Sequence, residues 1–347
     1  MKNRIDLGKY NIRTDLVIDN EIKDSYINKK QINDNILVTN IDVNIELGLE
    51  LNKKPGSYIT VEFEDITNYE DEQEVMKILS EELTSLLRKK GIKDDDTCLV
   101  LGLGNRSSTA DSLGPMALDK VMITRHLFIL DTNVKEGIRE VSGVSPGVMA
   151  NTGIETYDII DSLVNKIKPK FIIVIDALAS SSIERINKTI QITDTGIHPG
   201  SGIGNNRKEI SFDTIKVPVI AIGVPTVVES AILVNDTIDY IFQHISYIKA
   251  NYETNKLTFG HRNGKKYLET LKKHNLKEDE KKDLSGILGT LDENKKRELI
   301  EEVLNSINYN MIVTPKEIDF LIDKLSYVIA GSINNSLHKC VNGDGIN

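Results

Sequence analysis

Two aspartates stand where a chain can do acid–base chemistry. Asp176 ends the apolar run Phe171-Ile-Ile-Val-Ile175, and Asp111 lies in Arg106-Ser-Ser-Thr-Ala-Asp111-Ser-Leu-Gly-Pro115, just after the glycine turn Gly102-Leu-Gly-Asn105. A charged residue is seldom placed at the end of a buried strand without a partner or a task. Two carboxylates brought close resist double ionisation, so one pKa rises and the pair can act as acid and base on a bound water. Each acid also has a plain structural use: Asp111 as a helix cap ahead of Pro115, and Asp176 as an acceptor for backbone amides of its own loop. The glycine turn invites a dinucleotide reading, but Ser107 takes the third glycine's place in Gly-x-Gly-x-x-Gly. His198 sits in Thr195-Gly-Ile-His-Pro-Gly-Ser-Gly-Ile-Gly204, a density of glycine that suits close backbone approach, and could be a ligand, a proton carrier or a brace for its loop. The other histidines, His126, His244, His261, His274 and His338, have no His-x-x-x-His spacing. Cys98 and Cys340 lack paired spacing, and Cys98 reads as a buried strand residue.

Such acids need a frame that brings strand ends together. Cys98-Leu-Val-Leu-Gly-Leu103, Phe171–Ile175 and Val217-Pro-Val-Ile-Ala-Ile222 are continuous apolar runs, the pattern of strands buried on both faces of a parallel sheet. Between the first two, Thr152-Gly-Ile-Glu155 fits a capping box, Ile159, Ile160, Leu163, Val164 and Ile167 form an apolar helical face, and Pro169 ends it. A second long helix is expected from Val227 to about Lys249. Strand, helix, strand, helix makes a doubly wound α/β core over roughly 97–250, with its ligands at the carboxyl ends of the strands. Ahead of it, Ile41, Val43, Ile45 and Leu47 alternate, break at Lys53-Lys-Pro-Gly56, and alternation resumes over Tyr58–Phe63: two strands around a turn. Tyr69–Lys90 has helical spacing, with acids early and Arg88-Lys-Lys90 late, as the helix dipole favours. Residues 1–35 read as an extended or poorly packed leader and a candidate for removal, and 251–282 as a polar surface excursion. Helices are expected at about 292–306 and 315–337, the second opening on Thr314-Pro315.

The chain has 347 residues, 43 Lys+Arg against 52 Asp+Glu, and a net charge of −9. An acidic surface repels phosphate backbones, which argues against nonspecific nucleic-acid binding. No apolar stretch approaches the roughly 20 residues that span a bilayer, and Met1-Lys-Asn-Arg-Ile-Asp lacks a secretion signal's apolar core, so a cytoplasmic protein is expected.

The ordered blocks Gly102–Asn105, Thr109-Ala-Asp-Ser-Leu-Gly-Pro115, Thr124-Arg-His-Leu127, Pro146-Gly-Val-Met149, Thr152–Glu155, Ile175-Asp-Ala-Leu-Ala179, Gly196–Gly202, Pro218–Gly223, Pro225-Thr-Val-Val228 and Val313-Thr-Pro-Lys-Glu317 together resemble the germination proteases of spore-forming bacteria. The resemblance implies an endopeptidase that begins the degradation of small acid-soluble spore proteins at germination, working in the spore core as a homotetramer. It implies a core similar to hydrogenase maturation endopeptidases, with extra N-terminal strands and C-terminal helices. It places the catalytic pair at Asp111 and Asp176, the acids already singled out, with no cofactor. In the hydrogenase endopeptidases two such acids and a histidine bind a metal; His198 is the nearest counterpart, so metal dependence stays open. Tyr10-Asn-Ile-Arg-Thr-Asp-Leu16 resembles the family's propeptide junction, and substrates are cut between Thr/Ser-Glu and a large apolar residue. Thr14-Asp15-Leu16 imitates that, with Asp for Glu. The implied division is a propeptide, 1–15, and one protease domain, 16–347. A nucleotide or small-ligand protein using the glycine turn, and a metal-dependent maturation-type endopeptidase, are the competing readings.

Overall fold

The computed structural model describes residues 14–339 apart from 21, 131–133, 201–206, 252–263, 308 and 310. The readings that fall on Tyr10–Arg13, Gly202, Gly204, His261 and Cys340 lie outside the described residues.

The elements run β1 (Ile27–Gln31), β2 (Ile36–Val43), α1 (Ile45–Leu51), β3 (Gly56–Phe63), α2 (Tyr69–Lys89), β4 (Cys98–Gly102), α3 (Leu113–Leu118), α4 (Arg125–Leu130), β5 (Val141–Val144), α5 (Met149–Thr152), α6 (Thr156–Ile167), β6 (Phe171–Ala179), β7 (Thr189–Thr193), α7 (Phe212–Ile215), β8 (Val219–Glu229), α8 (Ser230–Ala250), α9 (Gly264–Leu271), α10 (Glu278–Ser285), α11 (Glu293–Ser306), β9 (Ile312–Val313) and α12 (Ile318–Leu337). The sheet order is β1-β2-β3-β7-β8-β6-β4-β5. The α/β architecture expected from the apolar runs holds: β8, β6, β4 and β5 are parallel neighbours. From β7 outward the sheet continues antiparallel through β3, β2 and β1.

Both faces of the parallel half are buried, which is why its strands carry no polar alternation. Cys98 and Val100 of β4 and Ile173 and Ile175 of β6 face one apolar cluster with α2, α3 and α12. Leu99, Leu101, Ile172 and Val174 face the other, against Ile160 and Val164 of α6 and Ile215 of α7. A fully buried side chain of this size contributes roughly 1.5–3 kcal/mol, so the two clusters fix β4 and β6 rigidly. Going from β4, the chain moves outward to β5 and then crosses to β6 on the other side. That reversal between β4 and β6 is where an open α/β sheet leaves a crevice.

The chain groups into two compact units, 12–227 with 314–347, and 228–313. In the second, β9 pairs with the last residues of β8, Val228↔Val313 and Glu229↔Ile312. There Phe242, Leu271, Leu276 and Ile300 are buried, and Lys296 Nζ pairs with Asp239 Oδ1 at 2.6 Å.

Several expectations are corrected. The alternation Ile41–Leu47 is not one strand: β2 stops at Val43, Asn44 caps α1 by accepting from the Leu47 N–H at 2.8 Å, and an αL residue, Asn52, ends that helix. The segment read as a poorly packed leader is structured from Thr14 onward, with Leu16 and Val17 fully buried and Ile27–Gln31 paired to β2. No capping box forms at Thr152–Glu155. Gly153 turns the chain at φ +70, Glu155 becomes the N-cap without a side-chain bond, and α6 starts at Thr156. Thr314-Pro315 do not open α12, which begins at Ile318; the Thr314 hydroxyl donates to the Thr226 carbonyl instead. The described part of 251–282 holds two short helices, α9 and α10, in place of an irregular excursion.

Candidate active site

Register explains how the sheet presents Asp176. Gly102 at the end of β4 pairs with Ile175, while Asp176 pairs only with Gly223 of β8, so Asp176 is the first β6 residue past the point where β4 leaves. The parted strands remain joined by Leu103 N–H donating to the Ile175 carbonyl at 2.8 Å. Asp176 is 5% exposed, and its Oδ1 accepts from the Ala177 N–H at 2.9 Å.

Asp111 reaches the same crevice through a loop that closes on itself. It ends a 3₁₀ turn, Thr109–Asp111, and the Asn105 N–H donates both to its carbonyl and to its Oδ2, each at 2.9 Å. Gly104, at φ +109, makes this possible, because a Cβ there would overlap the Asp111 carbonyl oxygen and sit 3.0 Å from its Oδ1. Gly114, the second residue of α3, lies against backbone: a Cβ would come to 2.6 Å from the Ile175 carbonyl oxygen. Thr226, fully buried at an irregularity where the β6–β8 register slips after Leu178, donates from Oγ1 to the Ala110 carbonyl at 2.7 Å. A strand irregularity beside a site re-aims its side chains, and here it ties the turn that carries Asp111.

Burial pushes Asp176 well above the usual carboxylate range, and the charges of Asp111 and then Asp15 push it further; the Ala177 amide and Arg207 oppose this weakly. Burial also raises Asp111, opposed by the Asn105 amide and Arg207. Both carboxyls are thus pushed up by burial, Asp176 the more strongly because it is the drier of the two and also feels the charges of Asp111 and Asp15.

The third carboxylate is that of Asp15. Its N–H donates to the Ala179 carbonyl at 3.0 Å, and its Oδ2 accepts from the Ala179 N–H at 2.9 Å, so the acid side chain and its backbone are both held by the end of β6. Leu16 comes next in extended conformation, φ −80 and ψ 133, fully buried. Beyond it, Asp19 accepts from Thr14 Oγ1 at 2.6 Å, Ser180 Oγ at 2.9 Å and Ser181 N–H at 2.8 Å, and pairs with Arg185 at 3.3 Å. Thr14–Asp19 is therefore a peptide laid across the strand end that bears Asp176.

His198 is half exposed and pairs through Nε2 with Glu209 Oε2 at 3.2 Å, and Glu209 also pairs with Lys54. Among the described residues no three of His, Cys, Asp and Glu converge on a metal position. Among the described residues, the donor set around Asp111 and Asp176 does not fit a metal. Among the described residues no helix is long and apolar enough to cross a membrane.

Sequence reasoning missed Thr226, Lys53 and Gln191. Gln191 could have been found by the rule that selected Asp176, being a long polar side chain in the buried strand β7, 5% exposed.

The sequence profile of the germination protease family matches residues 11–347. The chain is 44% identical to the germination protease of Bacillus subtilis strain 168, over 98% of this chain and 97% of that protein. It is 42% identical to that of Geobacillus sp. strain WCH70, over 99% and 98%. A crystal structure of the [NiFe] hydrogenase maturation protease HycI from Thermococcus kodakarensis matches 38% of this chain and 74% of its own, at 16% identity and a TM-score of 0.25. A family profile that matches nearly the whole chain, and identity at this level over the full length of both relatives, mean that the chain belongs to the germination protease family.

Proposed function

We propose that this chain is an endopeptidase that initiates degradation of small acid-soluble spore proteins in the germinating spore core, and that it is made as a homotetrameric zymogen whose propeptide, residues 1–15, it removes itself at Asp15–Leu16. The observation that carries this reading is the seating of Asp15: an acidic residue followed by a buried leucine lies against the strand end that holds Asp176.

The chemistry derives from the two environments. Asp111, whose Oδ2 accepts the Asn105 amide, is the carboxylate that takes a proton from water as the water oxygen attacks the scissile carbonyl carbon. Asp176, kept protonated by burial and by neighbouring charge, gives its proton to the departing nitrogen. Water is consumed, the C–N bond breaks, and the proton on Asp111 restores Asp176 for the next turnover. His198 stands as an auxiliary that braces its loop through Glu209.

The test is digestion of a small acid-soluble spore protein, with fragments read by mass spectrometry. Asp111→Asn and Asp176→Asn should each lower the rate by at least about 10²-fold, the span of general acid–base catalysis, with circular dichroism unchanged. Full activity in either variant removes that residue from the mechanism. Self-cleavage should leave Leu16 as the new N-terminus, read by N-terminal sequencing.

A further inference from the structure

The peptide that joins Asp15 to Leu16 is gripped by two side chains outside the acid pair. Lys53 Nζ donates to the Thr14 carbonyl at 2.9 Å and to the Asp15 carbonyl at 3.3 Å. Gln191 Nε2 donates to the Asp15 carbonyl at 3.4 Å, while Gln191 Oε1 accepts from the Val17 N–H at 2.9 Å. The amide's orientation is fixed by chemistry. The Val17 N–H can only donate, so Oε1 must face it and the NH₂ group must face the Asp15 oxygen. One side-chain amide thus copies a neighbouring β-strand, reading the carbonyl before Leu16 and the N–H after it.

Local structure places both groups. Gln191 points from β7, whose neighbours β3 and β8 fix it in the sheet. Lys53 succeeds the αL residue Asn52, and its own N–H closes onto the Gly48 carbonyl at 2.9 Å, so the end of α1 aims it at the leader. The carbonyl oxygen that would gain negative charge on attack by water therefore has two donors already aimed at it.

We infer that Lys53 and Gln191 form the oxyanion site of this protease, holding the carbonyl of the bond to be cut, and that Gln191 also selects an extended backbone by its bond to the N–H two residues on. This inference rests on the reading of Asp15–Leu16 as a cleaved bond. It adds that trans substrates are recognised through backbone at the same two atoms, whatever their side chains. Preorganised donors aimed at a developing oxyanion each account for about 10²–10³ in rate where they have been removed from other proteases. The present distances are those of a resting carbonyl, and such contacts shorten as charge builds.

The decisive variants are Gln191→Glu and Lys53→Met. Gln191→Glu keeps the shape and the acceptor for the Val17 N–H but turns the donor to the carbonyl into a second acceptor. Lys53→Met keeps the apolar stem and removes the ammonium. The full chain and both variants are monitored for self-cleavage by N-terminal sequencing, and for kcat and KM on a small acid-soluble spore protein. Melting temperature and Val17 amide exchange report on the fold and on leader seating. Expected is a loss of about 10²-fold in self-cleavage and in kcat for each variant, with Val17 still protected in Gln191→Glu. Rates within threefold of the parent in either variant, while the parent cuts at Asp15–Leu16, overturn that residue's role and leave the proteolytic reading standing. A loss confined to KM makes the residue a substrate grip only and refutes the oxyanion role. If the parent cuts no protein at all, the reading and the inference fall together.

Discussion

Leu16→Ala separates seating of the leader from folding of the protein. Leu16 is 0% exposed, and the segment it anchors is also held by the buried Val17 and by polar bonds from Lys53, Gln191, Ala179 and the partners of Asp19. Truncating a fully buried leucine removes about 2–3 kcal/mol of burial. If residues 14–19 lift off as a unit, the lifted fraction should rise roughly 30–150-fold at about 1.4 kcal/mol per tenfold. The Val17 N–H is a direct reporter, because its acceptor, Gln191 Oε1, is lost only when the segment lifts. Hydrogen exchange read by mass spectrometry should therefore show Val17 accelerating by that factor while Ile173 and Val174, deep in β6, keep their rates. Self-cleavage should slow in parallel, since less of the chain presents the bond. Acceleration by the same factor throughout β6 would mean that Leu16 supports the core and not a separable segment. Unchanged exchange at Val17 would refute the anchoring argument outright.

Gly104→Ala should abolish proteolysis and leave the fold, because φ +109 and overlap with the Asp111 carbonyl force the Asp111 turn to move at about 1–3 kcal/mol of backbone strain; activity and circular dichroism check it. Asp176→Asn should raise the melting temperature at pH 7. The folded state holds the Asp176 proton more tightly than the unfolded chain, so this residue's contribution is fully present below the unfolded pKa of about 3.9 and is lost as pH rises through the folded value. The amide removes that loss, and the gain should vanish in scans near pH 4. Thr226→Val should cost about 1 kcal/mol in denaturant unfolding and lower kcat, since it deletes the bond to Ala110 beside Asp111 without changing side-chain volume appreciably.

Asp176 stands out in the sequence because a charge is conspicuous after the apolar run Phe171–Ile175, although β6 runs on past it to Ala179. The parallel strands β4, β6 and β8 were legible for the same reason: burial on both faces writes a continuous run. β7 was not, since Thr189-Ile-Gln-Ile-Thr193 alternates like a solvent-facing strand although all five residues are buried. Its polar positions are hidden by the leader and by neighbouring elements, which no local pattern records. The leader itself was misjudged because Leu16 and Val17 form no periodic face; they pack into positions prepared by distant strands, Val17 against Ile41, Val43, Leu47 and Tyr58. At α1 the error came from alternation. Ile45 and Leu47 continue the period of β2, and only Asn44, a good N-cap, marked the break.

If the chain is cut after Asp15 as proposed, the bonds of Asp19 would govern the fate of the new terminus. Scission after Asp15 would remove Asp19's partner Thr14, but Ser180, Ser181 and Arg185 remain on the other side, and Leu16 and Val17 stay buried. The new terminus at Leu16 would thus stay seated along the end of β6, occupying the place an incoming chain needs. Product release, and not bond breakage, would then set when the enzyme becomes competent. A lag should separate the appearance of the Leu16 terminus from the onset of turnover on other proteins, and its length should be shortened by weakening Asp19.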